Sequence, residues 1–221
     1  MNRKSPTSMA STGFKAPAVA LELKDISKSF GKRDVLSKIN LSIDSGCLVI
    51  TGRNGSGKST LLKIIAGLIQ PTEGEVVFTL DGNILPLEMR RDLVGMVAPD
   101  LALYDELSAI ENLKFFARVR GIRRSDDELK ALLDSLGLQS RESDLVGTYS
   151  SGMKQRIKYA FAVMHNPPVL LLDEPSTNLD EGGIEIVDGI IKKWRERGIV
   201  VLATNEKSEL GYGDKILELG A

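Results

Sequence analysis

The sequence predicts an α/β fold in three parts: a core of helices on a parallel sheet, an N-terminal antiparallel β subdomain and a small helical subdomain. Short apolar segments alternate with amphipathic ones along much of the 221-residue chain, which is typical of a parallel sheet covered by helices. The N-terminal segments alternate polar and apolar residues around a glycine turn, which indicates antiparallel strands. Two helix-start patterns in mid-chain predict the helical part.

The first half of the chain is predicted to be rich in strands. Gly31 marks a turn between the first two strands, which we expect to pair as an antiparallel hairpin. Apolar positions recur with helical spacing over residues 60–69, and Pro71 follows the end of this helix. The predicted strands of this half are, in order, Leu21–Ile26, Val35–Ile43, Cys47–Ile50, Val76–Phe78 and Val94–Val97.

The middle of the chain contains two capping boxes, Ser108 with Glu111 and Ser125 with Glu128. In this pattern a serine oxygen and a glutamate three residues later satisfy the free amides of a helix start. We therefore interpret residues 100–148 as a small helical subdomain. The elements predicted after it are a helix from Ser151, the strand Val169–Leu172, an amphipathic helix over residues 184–194, and the strands Ile199–Ala203 and Lys215–Leu219.

The composition bears on partners and on the cellular compartment. Lys and Arg number 29 against 30 Asp and Glu, so the net charge is -1. We expect no nucleic-acid partner, because nucleic-acid binding favours a clearly basic balance. The single cysteine, Cys47, lies in an apolar run and is interpreted as a small buried thiol, which suits a reducing cytosol.

The chain contains no apolar run near the roughly 20 residues that span a bilayer. If the protein serves a membrane, we expect the spanning part to belong to another chain. The first 18 residues carry basic but no acidic side chains, a composition that a transit peptide also has. Because no amphipathic period is visible there, we predict a disordered tail over residues 1–18 and one folded domain over residues 19–221.

A phosphate-binding loop is predicted between the strand Cys47–Ile50 and the helix that follows. Residues 52–59 match the pattern G-x-x-x-x-G-K-[ST], whose glycines let backbone N–H groups turn towards phosphate oxygens. Lys58 adds a charge towards the β- and γ-phosphates, and the Ser59 hydroxyl is a ligand for Mg²⁺. The predicted ATP-binding residues of this loop are Gly52, Arg53, Asn54, Gly55, Ser56, Gly57, Lys58, Ser59 and Thr60.

Two carboxylates follow the apolar strand Val169–Leu172. The carboxyl ends of parallel strands are where α/β sheets bind ligands. Asp173 is therefore predicted to hold Mg²⁺, and Glu174 to orient and deprotonate an attacking water as the general base. Together with the phosphate loop, these acids predict a P-loop NTPase core that uses ATP and Mg²⁺.

At this point the chain resembles the ATP-binding subunits of ABC (ATP-binding cassette) transporters, over roughly residues 20–219. The most specific element is the segment 149–156, which is similar to the family's LSGGQ signature and stands just upstream of the acidic pair. The resemblance implies that two cassettes enclose two ATP molecules, with each signature facing the other subunit's γ-phosphate. It also implies that Asp180 lies in the D-loop that crosses the dimer, and that Phe30 stacks on adenine. The implied signature residues are Tyr149, Ser150, Ser151, Gly152 and Met153.

Two positions depart from the family pattern. Asn205 stands where the resemblance implies the histidine that senses the γ-phosphate, and we count it with Glu174 and Lys58 as a catalytic residue. An amide donates a hydrogen bond but carries no charge or proton. The glutamine expected near residues 97–100 is missing, and Asp100 is a candidate substitute as a water-mediated Mg²⁺ contact. The only histidine, His165, is interpreted as a surface residue.

The function predicted from these features is a slow ATPase, since the loss of one polar contact to a transition state typically costs ~3–4 kcal/mol. The resemblance implies a homodimer, or a pair with a paralogue, attached to a separate transmembrane permease on the cytoplasmic face of the membrane. The chain looks closest to bacterial exporter ATPases, including the heme-export or cytochrome c maturation group. Two alternatives stay open: a soluble, non-transport ABC ATPase, and a hydrolysis-impaired clamp that binds ATP for regulation.

Overall fold

Two β-sheets organise the structure, a computed structural model that describes residues 18–220. The predicted tail, residues 1–18, lies outside the described residues except for Ala18. The strands are β1 (Val19–Phe30), β2 (Arg33–Ile43), β3 (Gly46–Gly52), β4 (Glu73–Leu80), β5 (Asn83–Ile84), β6 (Val94–Val97), β7 (Val169–Asp173), β8 (Ile199–Ala203) and β9 (Lys215–Leu219). The α-helices are α1 (Lys58–Ile65), α2 (Arg90–Leu93), α3 (Ala109–Arg120), α4 (Asp126–Ser135), α5 (Ser151–Val163) and α6 (Glu181–Arg195).

The first sheet is antiparallel, with strand order β2-β1-β4-β5. The predicted hairpin is confirmed, because β1 pairs with β2 around the turn at Gly31 and Phe30 faces Arg33 across the pair. Apolar residues alternate along β1, where Leu21, Leu23 and Ile26 are buried against the rest of the core. Phe30 is the last residue of β1, the longest strand of this sheet.

The second sheet is parallel, with strand order β6-β7-β8-β3-β9. Every residue of β7 and β8 is buried, which explains why these strands are continuously apolar up to Asp173 at the end of β7 rather than alternating. Successive residues of β3 face opposite sides: Cys47 and Val49 pack with α3, α5 and α6, whereas Leu48 and Ile50 pack with α1 and the first sheet. Burial raises the pKa of the Cys47 thiol to about 12, in keeping with the predicted buried cysteine.

The helix starts follow the capping patterns of the sequence. Ser108 and Ser125 both form complete capping boxes, with Glu111 and Glu128 respectively, at the starts of α3 and α4. These helices lie in the predicted segment 100–148, although its status as a separate subdomain stays a prediction. Helix α1 ends at Ile65 and not at residue 69, because the chain turns at Gly67 with a φ of 77°.

His165 differs from its interpretation as a surface residue. It is partly buried, with Nε2 3.1 Å from the carbonyl oxygen of Val94 and Nδ1 3.2 Å from Nη1 of Arg120. The reason is that the turn between α5 and β7 packs against the start of β6. Across residues 18–220, none of the helices has the length and apolar character needed to cross a membrane.

Candidate nucleotide-binding site

The parallel sheet brings the three segments predicted to carry the function to one edge. Ala203 at the end of β8 pairs with Ile50 of β3 on one side and with Asp173 of β7 on the other. The phosphate loop follows β3, Asn205 follows β8, and Glu174 follows β7. Because β8 lies between the other two strands, Asn205 stands between the phosphate loop and the acidic pair.

The phosphate loop leads directly into α1, whose first residue is Lys58. Gly57 has a φ of 102°, and a Cβ there would lie 2.8 Å from a side-chain carbon of Leu36, so this position requires glycine. Lys58 is buried, and its ammonium group donates to the carbonyl oxygens of Gly52 at 2.8 Å and Arg53 at 3.3 Å. The loop therefore holds the lysine under its own backbone, at the start of a helix whose free N–H groups favour anions.

Asn205 bridges the two sides of this loop. Its Oδ1 accepts a hydrogen bond from Lys58 Nζ at 2.7 Å, and its Nδ2 donates to the side chain of Asn54. The side chain is exposed, so both contacts face the open side of the site. The residue found in place of the expected histidine thus lies in direct contact with Lys58, the lysine predicted to bind phosphate.

Asp173 has the surroundings of a metal ligand. It is 2% exposed, and its Oδ1 has no hydrogen-bond partner among the described residues. Burial raises the pKa of this carboxyl, while the neighbouring hydroxyl of Ser59 lowers it and the charge of Glu174 adds to the rise. A buried carboxylate oxygen without a donor, beside a hydroxyl of the phosphate loop, matches the oxygen ligands that Mg²⁺ prefers.

Glu174 is held in an uncommon backbone conformation. Its φ is 50°, in the left-handed region, and its N–H donates to the carbonyl oxygen of Ala203 at 2.9 Å. The side chain is partly exposed and contributes to the walls of two cavities, one of which also contains Lys58 and Ser59. A carboxylate in this place faces both the phosphate loop and the solvent that supplies a water.

An aromatic side chain and an arginine complete the cavity at the phosphate loop, which has a volume of about 480 Å³. Phe30 is 50% exposed, and the ammonium group of Lys28 lies 5.0 Å from the centre of its ring. Arg33 lines the same cavity and was not predicted from the sequence. The signal that would have identified it is the hairpin register, which places Arg33 directly opposite Phe30.

The signature residues divide into exposed and buried ones. Ser150 caps α5, where its hydroxyl accepts from the N–H of Met153 at 3.3 Å, and both Ser150 and Ser151 are exposed. Tyr149, in contrast, is buried and donates its hydroxyl to the carbonyl of Arg141 at 2.5 Å, so it anchors the start of the helix, and its place in the signature stays a prediction. None of residues 149–153 lines either cavity at the phosphate loop.

The D-loop packs against the start of the same helix. A Cβ on Gly152 would lie 3.0 Å from the carbonyl oxygen of Asn178, so the two segments approach closely. Asp180 caps α6 by accepting from Gly183 N–H at 2.9 Å, and it pairs with Arg156 of α5 at 2.5 Å. These contacts present the D-loop and the signature helix together on one surface.

Asp100 lies at the place where the family glutamine is expected. Its carboxylate is 2.6 Å from the ammonium group of Lys63 on α1, the helix that begins at the phosphate loop. This hydrogen bond is the main reason that the pKa of Asp100 is lowered. Asp100 therefore contacts a cation of the protein itself through one carboxylate oxygen, and its role as a water-mediated Mg²⁺ contact stays a prediction.

Comparisons with known proteins agree with this geometry. The sequence profile of the ABC transporter family matches residues 36–177. The lantibiotic transport ATP-binding protein SrtF of Streptococcus pyogenes is 34% identical over 188 residues, which cover 84% of this chain and 79% of that protein. The putative hemin import ATP-binding protein HrtA of Staphylococcus haemolyticus is 33% identical over 215 residues, with 91% and 97% of the two chains covered.

A solved structure is similar as well. It is the dimeric, post-hydrolysis state of an ATP-binding cassette bound to ADP and Pi, with 27% identity, a TM-score of 0.75, and coverage of 90% of this chain and 94% of that one. The chain belongs to the ABC transporter family. It is an ATP-binding subunit of an ABC transporter and an ATPase, and its predicted α/β fold is confirmed.

Proposed function

We propose that two copies of this chain enclose two Mg-ATP molecules, and that each site combines the phosphate loop and acidic pair of one copy with residues 150–152 of the other. The observation that carries the proposal is the separation of these elements within one copy. Exposed Ser150 and Ser151 open a helix, yet residues 149–153 lie outside the cavities at the phosphate loop. A helix start with free N–H groups suits an anion presented by a second copy, and the similar cassette bound to ADP and Pi is dimeric.

The roles of the chain's own residues follow from their positions. Backbone N–H groups of residues 52–60 and the ammonium of Lys58 bind the phosphates, and Phe30 stacks on the adenine. Asn205 exchanges its contact with Lys58 for a hydrogen bond to the γ-phosphate. Glu174 orients a water and removes its proton as the water attacks the γ-phosphorus; the bond from this phosphorus to the β–γ bridging oxygen breaks, and ADP and inorganic phosphate are the products.

Asp173 and Ser59 would hold Mg²⁺ in this site, Asp173 through its unpartnered buried oxygen. Bound there, the ion would neutralise charge on the phosphate oxygens during transfer. Because the hydroxyl of Ser59 already lies beside Asp173, the two ligands need little rearrangement to share one cation.

Attachment to a separate membrane subunit is proposed to occur at a groove of about 430 Å³. Leu68 is 68% exposed in its wall, beside Ala98, Leu101 and Phe161, and Asp100 lies in the same wall. Since Asp100 is paired with Lys63 of α1, an apolar segment of the membrane subunit in this groove would contact a loop that is linked to the nucleotide site. The chain would then act at the cytoplasmic face of the membrane.

This docking is tested by replacing Leu68 with Glu. The variant should lose co-sedimentation with membranes from cells that express it, because a carboxylate would be buried against apolar surface. Ile84→Glu is the matched control, because Ile84 is 72% exposed but lies on β5, away from the groove. Membrane attachment that survives Leu68→Glu, or that is lost in the control instead, would contradict the proposed location.

The dimeric site is tested with Glu174→Gln, which keeps the side-chain shape but removes the base. We expect ATP binding to persist, turnover to be abolished, and a stable dimer to form in Mg-ATP when measured by light scattering. Adding Ser151→Glu to this variant should return it to a monomer without loss of ATP affinity, because Ser151 would meet phosphate only across the dimer. A monomeric Glu174→Gln variant at saturating Mg-ATP, or one with wild-type turnover, overturns the proposal.

A regulatory clamp without hydrolysis is not favoured. Two departures from the family pattern suggested this alternative: Asn205 stands in place of a histidine, and no glutamine is present near Asp100. Because Lys58, Asp173 and Glu174 all lie at the same sheet edge, the groups needed for hydrolysis are present. Membership of the heme-export or cytochrome c maturation group stays a prediction.

A further inference from the structure

Glu209 is a buried carboxylate that the roles described so far do not use. It is 4% exposed and lies in the 3-10 helix Lys207–Tyr212, which begins two residues after Asn205. One carboxylate oxygen accepts a hydrogen bond from the hydroxyl of Ser176, and the other is buried with no partner among the described residues. Burying a carboxylate is costly, and apolar packing alone does not explain why Glu209 is a carboxylate at this position.

Ser176 lies two residues after Glu174, in a turn with three separate attachments. Glu174 N–H donates to Ala203 of β8 at 2.9 Å. The carbonyl of Pro175 accepts from the fully buried hydroxyl of Tyr159 on α5 at 2.9 Å. The hydroxyl of Ser176 then donates to Glu209. The turn is thus tied to the sheet, to the signature helix and to the segment after Asn205.

The carboxylate of Glu209 also lies close enough to the hydroxyl of Tyr159 to affect its pKa. Burial raises the pKa of the Tyr159 hydroxyl well above its usual value, and the charge of Glu209 raises it further. Tyr159 therefore stays protonated and remains a donor to Pro175. The carboxylate and the phenol hold adjacent residues of one turn from opposite sides.

The backbone conformation of Glu174 explains why the turn needs the contact between Ser176 and Glu209. A φ of 50° is strained for a residue with a side chain and persists only where the surroundings enforce it. We propose that Glu209 is a positioning residue: through Ser176 it fixes the turn that carries Glu174 and sets the distance between this base and Asn205. This inference rests on the proposed role of Glu174 as the general base.

The proposal predicts a loss of turnover without a loss of binding. Glu209→Ala and Ser176→Ala should each lower kcat by about tenfold or more, because a small displacement of a base is costly. The Kd for ATP should stay within about twofold, since Ser176 and Glu209 line the cavity beside Glu174 and not the one that contains Lys58 and Ser59. Glu209→Gln should retain most of the activity, because its amide oxygen still accepts from Ser176.

The double variant distinguishes a shared contact from two separate effects. If Glu209 acts through Ser176, the double alanine variant should be no slower than either single variant, because both remove the same hydrogen bond. Ser208→Ala, an exposed serine of the same 3-10 helix, is the control and should have wild-type kcat. Circular dichroism confirms folding, and Ser176→Ala, at a half-buried position, tests the contact even where Glu209→Ala fails to fold.

Glu174→Gln is measured in parallel so that the two proposals are separated. If Glu174→Gln is inactive but Ser176→Ala and Glu209→Ala have wild-type kcat, the positioning role is wrong and the role of Glu174 stands. Additive losses in the double variant, or equal losses of kcat and ATP affinity, also overturn the positioning role. If Glu174→Gln hydrolyses ATP at the wild-type rate, the proposed function itself fails.

Discussion

The ammonium group of Lys58 lies 2.7 Å from the side-chain oxygen of Asn205, which is 147 positions further along the chain. With the carbonyls of Gly52 and Arg53, this oxygen gives the lysine three acceptors, one for each of its N–H donors. A phosphate oxygen must therefore displace one of them. The side chain of Asn205 is exposed and is the acceptor that moves with the least disturbance of the loop.

Replacing Asn205 with Asp tests this exchange. The carboxylate keeps an acceptor for Lys58 but replaces the amide donor with a negative charge beside the phosphates. We expect the Kd for ATP to rise by about tenfold or more, equivalent to about 1.4 kcal/mol, in a titration with a fluorescent ATP analogue. Asn205→Ala, which removes both contacts without adding charge, should bind within about threefold of wild type. Unchanged affinity in the Asp variant would contradict the exchange.

Asn112 holds the loop that leads into α3. Asn112 is 0% exposed; its Oδ1 accepts from Tyr104 N–H at 2.9 Å, and its Nδ2 donates to the carbonyls of Tyr104 at 2.9 Å and Ser108 at 3.0 Å. Asn112→Leu should lower the free energy of unfolding by about 3 kcal/mol in urea, because buried backbone groups lose their partners. Asn83→Leu, at an exposed asparagine, should change it by less than about 0.5 kcal/mol. Equal effects would show that the network of Asn112 contributes nothing.

The sequence was sufficient for features that depend on neighbouring residues. The capping boxes at Ser108 and Ser125, the buried strand before Asp173 and the phosphate loop before Lys58 each depend on a few consecutive positions. Helix α1 was predicted too long, because its apolar period continues past the turn at Gly67.

Contacts between segments that are distant in the sequence could not be predicted from local sequence patterns. The pair of Glu209 and Ser176 is separated by 33 positions and the pair of Asp100 and Lys63 by 37, and no local pattern marks either of them. Both arise from the order β7-β8-β3 and from helices that cross the ends of these strands. His165 was placed on the surface for the same reason, since its neighbours Arg120 and Val94 come from elsewhere in the chain.

His165 should make the stability of the protein depend on pH. Burial, and next the charge of Arg120, lower the pKa of this histidine to about 4. The unfolded chain, with a pKa near 6.5, binds more protons between these values, so stability is complete above about pH 6.5 and falls as the pH drops through 4. After allowance for solvent screening of a partly exposed ring, the loss between pH 7 and pH 4 is about 1–2 kcal/mol.

The measurement is urea unfolding at several pH values, for wild type and for His165→Gln. The glutamine does not titrate, so the difference in free energy between the two proteins should change with pH between about 6.5 and 4. The carboxylates titrate in both proteins and cancel in this comparison. A difference that is constant across the range would contradict the buried, neutral state of His165.

Gly95 permits the close approach of β6 and α5, the helix that begins at the signature. A Cβ at this position would lie 2.1 Å from the carbonyl oxygen of Ala162 and 2.8 Å from a ring carbon of Pro167. Gly95→Ala should therefore lower the free energy of unfolding by about 3 kcal/mol, because backbone of α5 must move to relieve the overlap. Gly189→Ala is the matched control: Gly189 lies within α6 with nothing within 4 Å of its added Cβ, so alanine should stabilise the protein by about 1 kcal/mol. Opposite signs for the two substitutions in the same urea experiment are the expected result, and a stabilising Gly95→Ala would show that β6 and α5 are not packed as closely as this geometry requires.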